Sequence, residues 1–222
     1  MKFSHTELSK HLEWTENNHF NELVVESPIF LRQLLHALMH PDDNAKVKFA
    51  NNGKPVNFNK EIDVIYNPLR LDFNNRRAMA TLLKLLVKAS LSEEFYMETN
   101  EFKARVIKYL DKVVDAENFV FEVTNDDFTL DAIAKAVNLH IVDDEDDFVE
   151  LLTDYMATMA ELAGIKLFVF LNLRAILLDG ELARLIGNIC NHQLDVLLIE
   201  NRQYGRVEGC DRIIIDRDLC EL

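Results

Sequence analysis

Cysteine is scarce in this sequence: Cys190, Cys210 and Cys220 form neither a C-x-x-C pair nor an even set. That excludes a disulfide framework, and reduced thiols fit a cytoplasmic protein. Long apolar runs are missing as well. Arg174 breaks the longest candidate, "LFVFLNLRAILL", short of the ~18 apolar residues a membrane helix needs. The opening residues, "MKFSHTELSKHLEW", lack an uninterrupted apolar core, so no secretory signal is expected. No segment matches a G-x-S-x-G elbow, a D-x-D-x-D-G calcium loop or an internal repeat. Positive charge is in short supply: 24 Lys and Arg face 38 Asp and Glu, a formal −14. Such a balance opposes indiscriminate coating of nucleic acid.

What is present suffices for a full core, since 49% of the 222 residues are hydrophobic. The charge is unevenly spread. Residues 70–116 hold nine Lys and Arg against seven Asp and Glu, whereas residues 117–150 hold eleven Asp and Glu against one Lys. A near-neutral stretch therefore abuts an intensely acidic one.

Periodicity divides the chain. Near the N-terminus "HFNELVVES", "AKVKFAN" and "PVNFNKEIDVIYN" read as strands, the last two around the turn Asn51-Asn52-Gly53. Between the first two, "PIFLRQLLHALMHP" predicts a helix with Ser27 as cap and Pro28 at its first position. From Asn74 the period becomes helical. Met79, Leu82, Leu83 and Leu86 share one face, and Phe102, Val106, Leu110 and Val113 share another. A short strand "FVFEV", a helix "TLDAIAKAV", a strand "LHIV" and a helix ended by Gly164 follow. The strands "KLFVFLN", "DVLLIEN" and "RIIID", with a helix capped by Asp179 between the first two, predict a parallel sheet covered on both faces. The expected fold is α/β: a discontinuous head formed by residues 1–68 plus 164–222, with a mainly helical insertion at 69–163.

This strand–loop–helix layout is that of P-loop nucleotide hydrolases, and an ordinary parallel sheet explains it equally well. Cradling phosphate needs glycines followed by Lys and Ser/Thr. The loop "ESPIFLR" has neither, and "LFVFLN" ends in Asn172 where an acid would hold magnesium, so ATP hydrolysis is disfavoured. His36 and His40 lie one turn apart and could share a metal, but no third ligand has matching spacing. Histidines placed favourably at a helix C-terminus are the simpler reading, and no zinc is assigned.

Two basic stripes stand out: Arg77, Lys84 and Lys88, then Arg105, Lys108 and Lys112. A solvated face is the bland explanation, and Glu101 to Arg105 is an ordinary i,i+4 pair. Lys84 repels Lys88, however, and Lys108 repels Lys112, which points to an anionic partner. Glu122, Asp126 and Asp127 crowd a strand-to-helix loop ahead of Asp131. Oxygen-only donors suit calcium, while the helix dipole alone also favours Asp126 and Asp127 there. The run "VDDEDD" at 142–147 reads as a solvated cap.

Several stretches together resemble the type II-A CRISPR-associated spacer-acquisition proteins (Csn-two family). They are "ELVVESPIFLRQLLHAL", "AKVKFANNGKPVNF", "IDVIYNPLRLDFNNRRAMATLLKLL", "FEVTNDDFTLDAIAKAVNLHI" and "KLFVFLNLRAILLDGELARLIGNICNHQLDVLLIENR". The resemblance implies a head like a degenerate P-loop, ABC-type ATPase with a helical leg inserted. It also implies a homotetrameric ring that binds double-stranded DNA ends independently of sequence, calcium that holds the leg, and action alongside the CRISPR integrase pair and the RNA-guided effector nuclease. Residue by residue, Glu122, Asp126 and Asp127 fall on the calcium loop, and Glu26 matches an acid after the first head strand. Arg76, Arg77, Lys84, Lys88, Lys103, Arg105, Lys108 and Lys112 are the candidates to face DNA. The terminal "QYGRVEGCDRIIIDRDLCEL" departs from the family pattern. Non-catalytic DNA-end binding is the expected function. The alternatives are a divergent nucleotide hydrolase and a pure protein-interaction scaffold.

Overall fold

Five strands of nearly continuous apolar sequence build the main sheet of the fold. The computed structural model describes residues 1–43, 46–117, 129–142 and 144–222. Contacts divide the chain into two units, Met1–Phe73 with Asp143–Leu222, and Asn74–Val142.

In the first unit, β1 (Lys2–His5), β2 (Leu12–Glu13), β4 (Val47–Asn51) and β5 (Lys54–Pro55) form a small sheet in the order β2-β1-β4-β5. Its pairings are antiparallel, with Phe3 opposite Phe49. A second sheet contains β3 (Phe20–Val25), β6 (Ile62–Ile65), β7 (Leu167–Leu171), β8 (Asp195–Glu200) and β9 (Asp211–Ile215). All its pairings are parallel and the order is β6-β7-β8-β3-β9. The fold is thus mixed α/β with parallel and antiparallel sheets. Strand β3, first of the five in sequence, lies between β8 and β9, so the strand order reverses beside it. In open α/β sheets the crevice outside the carboxyl ends of such strands is the usual ligand position.

Alternation sends Leu23, Val25, Leu197, Ile199, Ile213 and Ile215 to one face, where they join Phe30, Leu34 and Leu38 of α1 (Pro28–Met39) and Phe3, Trp14 and Phe49. Trp14 buries its ring there and donates its indole N–H to Val196 O at 3.0 Å. Helices α6 (Phe148–Thr158) and α7 (Asp179–His192) supply Leu152, Met156, Leu185 and Ile189, all fully buried. The Tyr155 hydroxyl donates to Asp63 Oδ2 of β6 at 2.7 Å, and Asn188 of α7 donates to Thr153 Oγ1 of α6 at 3.1 Å. Burial raises the Asp63 carboxyl above the usual range, and the Tyr155 hydrogen bond opposes that rise.

Local signals behave as their chemistry requires. Ser27 Oγ accepts from the Phe30 N–H at 3.4 Å, with Pro28 opening α1. Gly164, at φ 67°, ends the wide turn Met159–Ala163 that follows α6. Other expectations shift. The stretch "PVNFNKEIDVIYN" is a short strand, then one helical turn α2 (Phe58–Glu61), then β6, because polar Asn59, Lys60 and Glu61 break the alternation. Residues 139–142 form no strand; both polar groups of Asn74 hold the Ile141 backbone, at 2.9 and 2.7 Å. Helix α7 begins at Asp179, and its capping carboxylate is Glu181, which accepts from the Leu178 N–H at 2.8 Å. The expected strand "FVFEV" lies outside the described residues.

The second unit holds α3 (Arg76–Ser90), α4 (Tyr96–Val114) and α5 (Leu130–Ala136). Asn75 caps α3, its Oδ1 accepting from the Arg77 and Ala78 N–H groups at 3.1 and 3.0 Å. α3 packs on α5, whereas α4 contains no buried residue. Among the described residues no helix is long and apolar enough to cross a membrane.

One feature of the first unit breaks the apolar pattern. Glu22, in the middle of β3, is fully buried and paired with two guanidiniums. Arg174, just after β7, donates from Nη1 to Glu22 Oε1 at 3.0 Å; Arg212 of β9 pairs with Glu22 Oε2. Both arginines also reach the segment after β8, Arg174 to Gly205 O at 2.9 Å and Arg212 to Tyr204 O at 3.1 Å. Removing the carboxylate would leave two desolvated cations uncompensated, which typically costs about 3–5 kcal/mol. Glu22→Ala should therefore lose about that much in denaturant unfolding. Lys166→Ala, which breaks the exposed Glu61 pair at 2.7 Å, should lose no more than about 1 kcal/mol. Equal losses would contradict the assignment.

Candidate functional site

Helix α3 carries Arg76, Arg77, Lys84 and Lys88 and not one carboxylate. Lys84 and Lys88 are exposed, and neither has an ion-pair partner among the described residues. Arg77 is half-buried. Arg76 and Lys84 edge a cleft of about 610 Å³ floored by Met79, Ala80, Leu83 and Val87, with Asp131 and Lys135 of α5 on its other side. Those last two neutralise each other at 2.9 Å. The Thr129 hydroxyl and then Lys135 hold the Asp131 carboxyl below its usual range.

On α4, Arg105, Lys108 and Lys112 are exposed along one side. Arg105 pairs with Glu101 at 3.5 Å, a contact of two exposed side chains that water screens. Lys103 departs from this stripe. It is half-buried beside Phe102, Leu130 and Ile133 in a cleft of about 200 Å³.

Of the expected metal ligands, Glu122, Asp126 and Asp127 lie outside the described residues. Glu26 is half-buried just after β3, its backbone N–H donating to Ile215 O at 2.8 Å. The His36 and His40 rings contact each other at a tilt of 47°, their centroids 4.6 Å apart. Among the described residues no group of three or more His, Cys, Asp or Glu side chains converges on a point that could hold a metal.

The reversal point beside β3 is built differently from a phosphate cradle. Only Glu26 and Ser27 separate β3 from α1. Pro28 has no N–H, the Glu26 N–H is engaged by β9, and the Phe30 N–H is taken by Ser27. Asn172, after β7, adopts the left-handed conformation at φ 51°, which its short amide tolerates. Its Oδ1 accepts from the Asn201 N–H at 3.0 Å and its N–H donates to Ile199 O at 2.9 Å, so it ties β7 to β8.

Sequence reasoning missed the polar residues around the ion pair. Their signal was a charge inside an apolar run: Glu22 in "NELVV", Arg212 in "DRIII", Glu200 in "LLIE". Glu200 is fully buried. Its Oε1 accepts from the Arg174 N–H at 3.0 Å, while Oε2 and the Tyr204 hydroxyl have no hydrogen-bond partner among the described residues. Burial first, and then the neighbouring Glu22 charge, push the Glu200 carboxyl up to about 7 against the partly offsetting Arg174. The same surroundings raise the Cys210 thiol to about 12, so it is no nucleophile near neutrality. Because the native state keeps a Glu200 proton that the unfolded chain releases, its stabilising effect is present below pH 4.5 and is lost as the pH rises to about 7. Glu200→Gln mimics the protonated form. Its stability advantage over the parent should grow by on the order of 1–3 kcal/mol across that window and then level off. Urea unfolding at about pH 5 and about pH 8 measures this, and a pH-independent difference would contradict it.

A family model described as CRISPR-associated protein (Cas_Csn2) matches residues 40–219. No curated protein matches the chain. Among solved structures, it is similar to a putative ABC transporter (ATP-binding protein) from Pyrococcus furiosus, at 11% identity and a TM-score of 0.38 over 96% of this chain and 97% of that one. The family match spans well over half of the sequence, and the chain belongs to the Cas_Csn2 family of CRISPR-associated proteins.

Proposed function

We propose that this protein binds the ends of double-stranded DNA without catalysis, as a calcium-dependent homotetrameric ring, and so supports acquisition of new spacers in a type II-A CRISPR system. The observation that carries this reading is α3: four cations and no carboxylate in a protein of formal charge −14. Bulk electrostatics repel DNA, so binding has to come from a focused positive surface. Cations of such a surface engage phosphates and give affinity without sequence readout. Lys108 and Lys112 of α4 add to it, and copies from several subunits multiply it. The apolar side of α4, with Phe102 at 44% and Tyr109 at 66% exposure, favours assembly over a lone chain.

Membership of a CRISPR-associated family supports the setting, in which the integrase pair and the RNA-guided effector nuclease are the partners in the cytoplasm. The first unit then serves as a degenerate ABC-type head that has kept a parallel sheet and lost its phosphate loop. Calcium suits the oxygen-only donors Glu122, Asp126 and Asp127, and would screen their repulsion from DNA. Glu26, the fourth candidate, joins no cluster among the described residues.

A mobility shift with linear and closed-circular duplex, with calcium or with chelator, tests this reading. Linear duplex should shift in calcium, while circles and chelated samples should not. Replacing Lys84, Lys88, Lys108 and Lys112 together by Ala should weaken binding equally across DNA sequences. It should also flatten log affinity against log salt by roughly 0.9 for each phosphate that the protein no longer neutralises. Unchanged affinity and salt slope in that variant would leave the scaffold alternative standing. ATP turnover that co-purifies with the protein would favour the hydrolase.

A further inference from the structure

We propose a second ligand site, in the first unit: a pocket formed by His5, Arg32, Gln33, His36 and Lys46 that receives a phosphate monoester group. It is distinct from the DNA-binding surface proposed above, uses none of the α3 or α4 cations, and does not depend on that reading. The pocket measures about 360 Å³ and is bounded by α1, β1 and the residue just before β4. Arg32, Gln33 and His36 stand at i, i+1 and i+4 on α1, with Ala37 beside them and His5 and Lys46 opposite. Among the described residues no carboxylate lines it. In a chain where acids outnumber cations by 38 to 24, a pocket lined by nitrogen donors and no acid is a departure.

His5 is the built element. It is 6% exposed, and its ring packs on Phe30 with centroids 4.9 Å apart. Its Nδ1 accepts the Glu7 N–H at 3.2 Å, which leaves the ring proton on Nε2 as a donor. Burial lowers its pKa below the ordinary imidazole value, so it is a fixed neutral donor near neutrality. Lys46 is balanced by Glu7, the pair lying 2.6 Å apart. The unbalanced positive charge comes from Arg32, which makes no ion pair or hydrogen bond to the protein among the described residues. A guanidinium fork, imidazole N–H groups, an amide and an ammonium around one space match a tetrahedral anion with three terminal oxygens. A carboxylate would leave donors unmet. The volume exceeds what a bare oxyanion fills, which leaves room for the esterified group.

Such a group could belong to a small phosphate ester or to a 5′-phosphorylated polynucleotide end, and the experiment separates the two. Titration calorimetry of the full chain with inorganic phosphate should show saturable binding. Arg32→Ala should weaken it by about tenfold or more, as expected when a charge-assisted hydrogen bond is removed. Arg32→Lys, which keeps charge but not the fork, should fall between. Lys54→Ala, an equal loss of charge on exposed β5, should leave it unchanged. Circular dichroism and thermal melts should confirm that each variant is folded. Displacement of phosphate by 5′-phosphorylated duplex but not by 5′-hydroxyl duplex would support the site and assign it to polynucleotide ends. Displacement by adenosine monophosphate but by neither duplex would support it as a site for small esters. Absence of saturation in the parent, equal loss in Arg32→Ala and Lys54→Ala, or displacement by none of the esters would overturn the proposal.

Discussion

The buried Arg174–Glu22–Arg212 ion triad is the constraint on which the first unit turns. A carboxylate in the centre of a fully enclosed strand is tolerable only while both guanidiniums stay in place. Each guanidinium is in turn held by backbone carbonyls of the segment after β8. Strand β3, the turn after β7, strand β9 and residues 204–205 are therefore positioned together. The Tyr204 ring, with the Arg174 and Arg202 guanidiniums 4.8 and 4.6 Å from its centroid, closes the arrangement. Glu200 completes it, its carboxyl pushed up to about 7 by burial and the Glu22 charge against the Arg174 N–H that it accepts.

The same constraint governs the carboxyl end of the parallel sheet. In nucleotide-binding α/β proteins that end presents free backbone N–H groups to phosphate. Here three of those groups are engaged by the protein itself: Glu26 by β9, Phe30 by Ser27, Asn201 by Asn172. The two-residue connection Glu26–Ser27 has no glycine and its Glu26 N–H is already engaged, so it does not form a glycine-rich phosphate loop. The end of the sheet is a structural joint, and the cations of α3 and Arg32 lie elsewhere.

Charge is partitioned between elements rather than averaged over the molecule. α3 gathers four cations without an acid, although the unit that contains it holds nine Lys and Arg against eleven Asp and Glu. Like charges at i,i+4 on one helix are mildly destabilising by themselves. Asn75 at the N-terminus of α3 and Lys88 in its last turn offset part of that, through the cap and the helix dipole.

Much was legible in sequence because it depends on short-range chemistry. The parallel strands announced themselves as apolar runs, α1 by Ser27 and Pro28, the turn after α6 by Gly164, and the basic stripes by helical spacing. Pairing was not legible. Lys2–His5 becomes a strand because β4 offers it an antiparallel partner, and residues 139–142 do not, because Asn74 satisfies their backbone instead. Helical period showed that α6 has an apolar face but not which core would take it; packing against α7 and β6 settled that. Sequence by itself determined the elements with strong local signals, the family and where charge accumulates, since these follow from local residue order. Only the tertiary structure decided that Glu22, Arg174, Glu200 and Arg212 meet, and that His5 faces the α1 donors. Those groups are far apart in the chain: β-strand register brings the four charged residues within bonding distance, and the packing of His5 on Phe30 of α1 sets it beside Arg32 and His36 in one pocket.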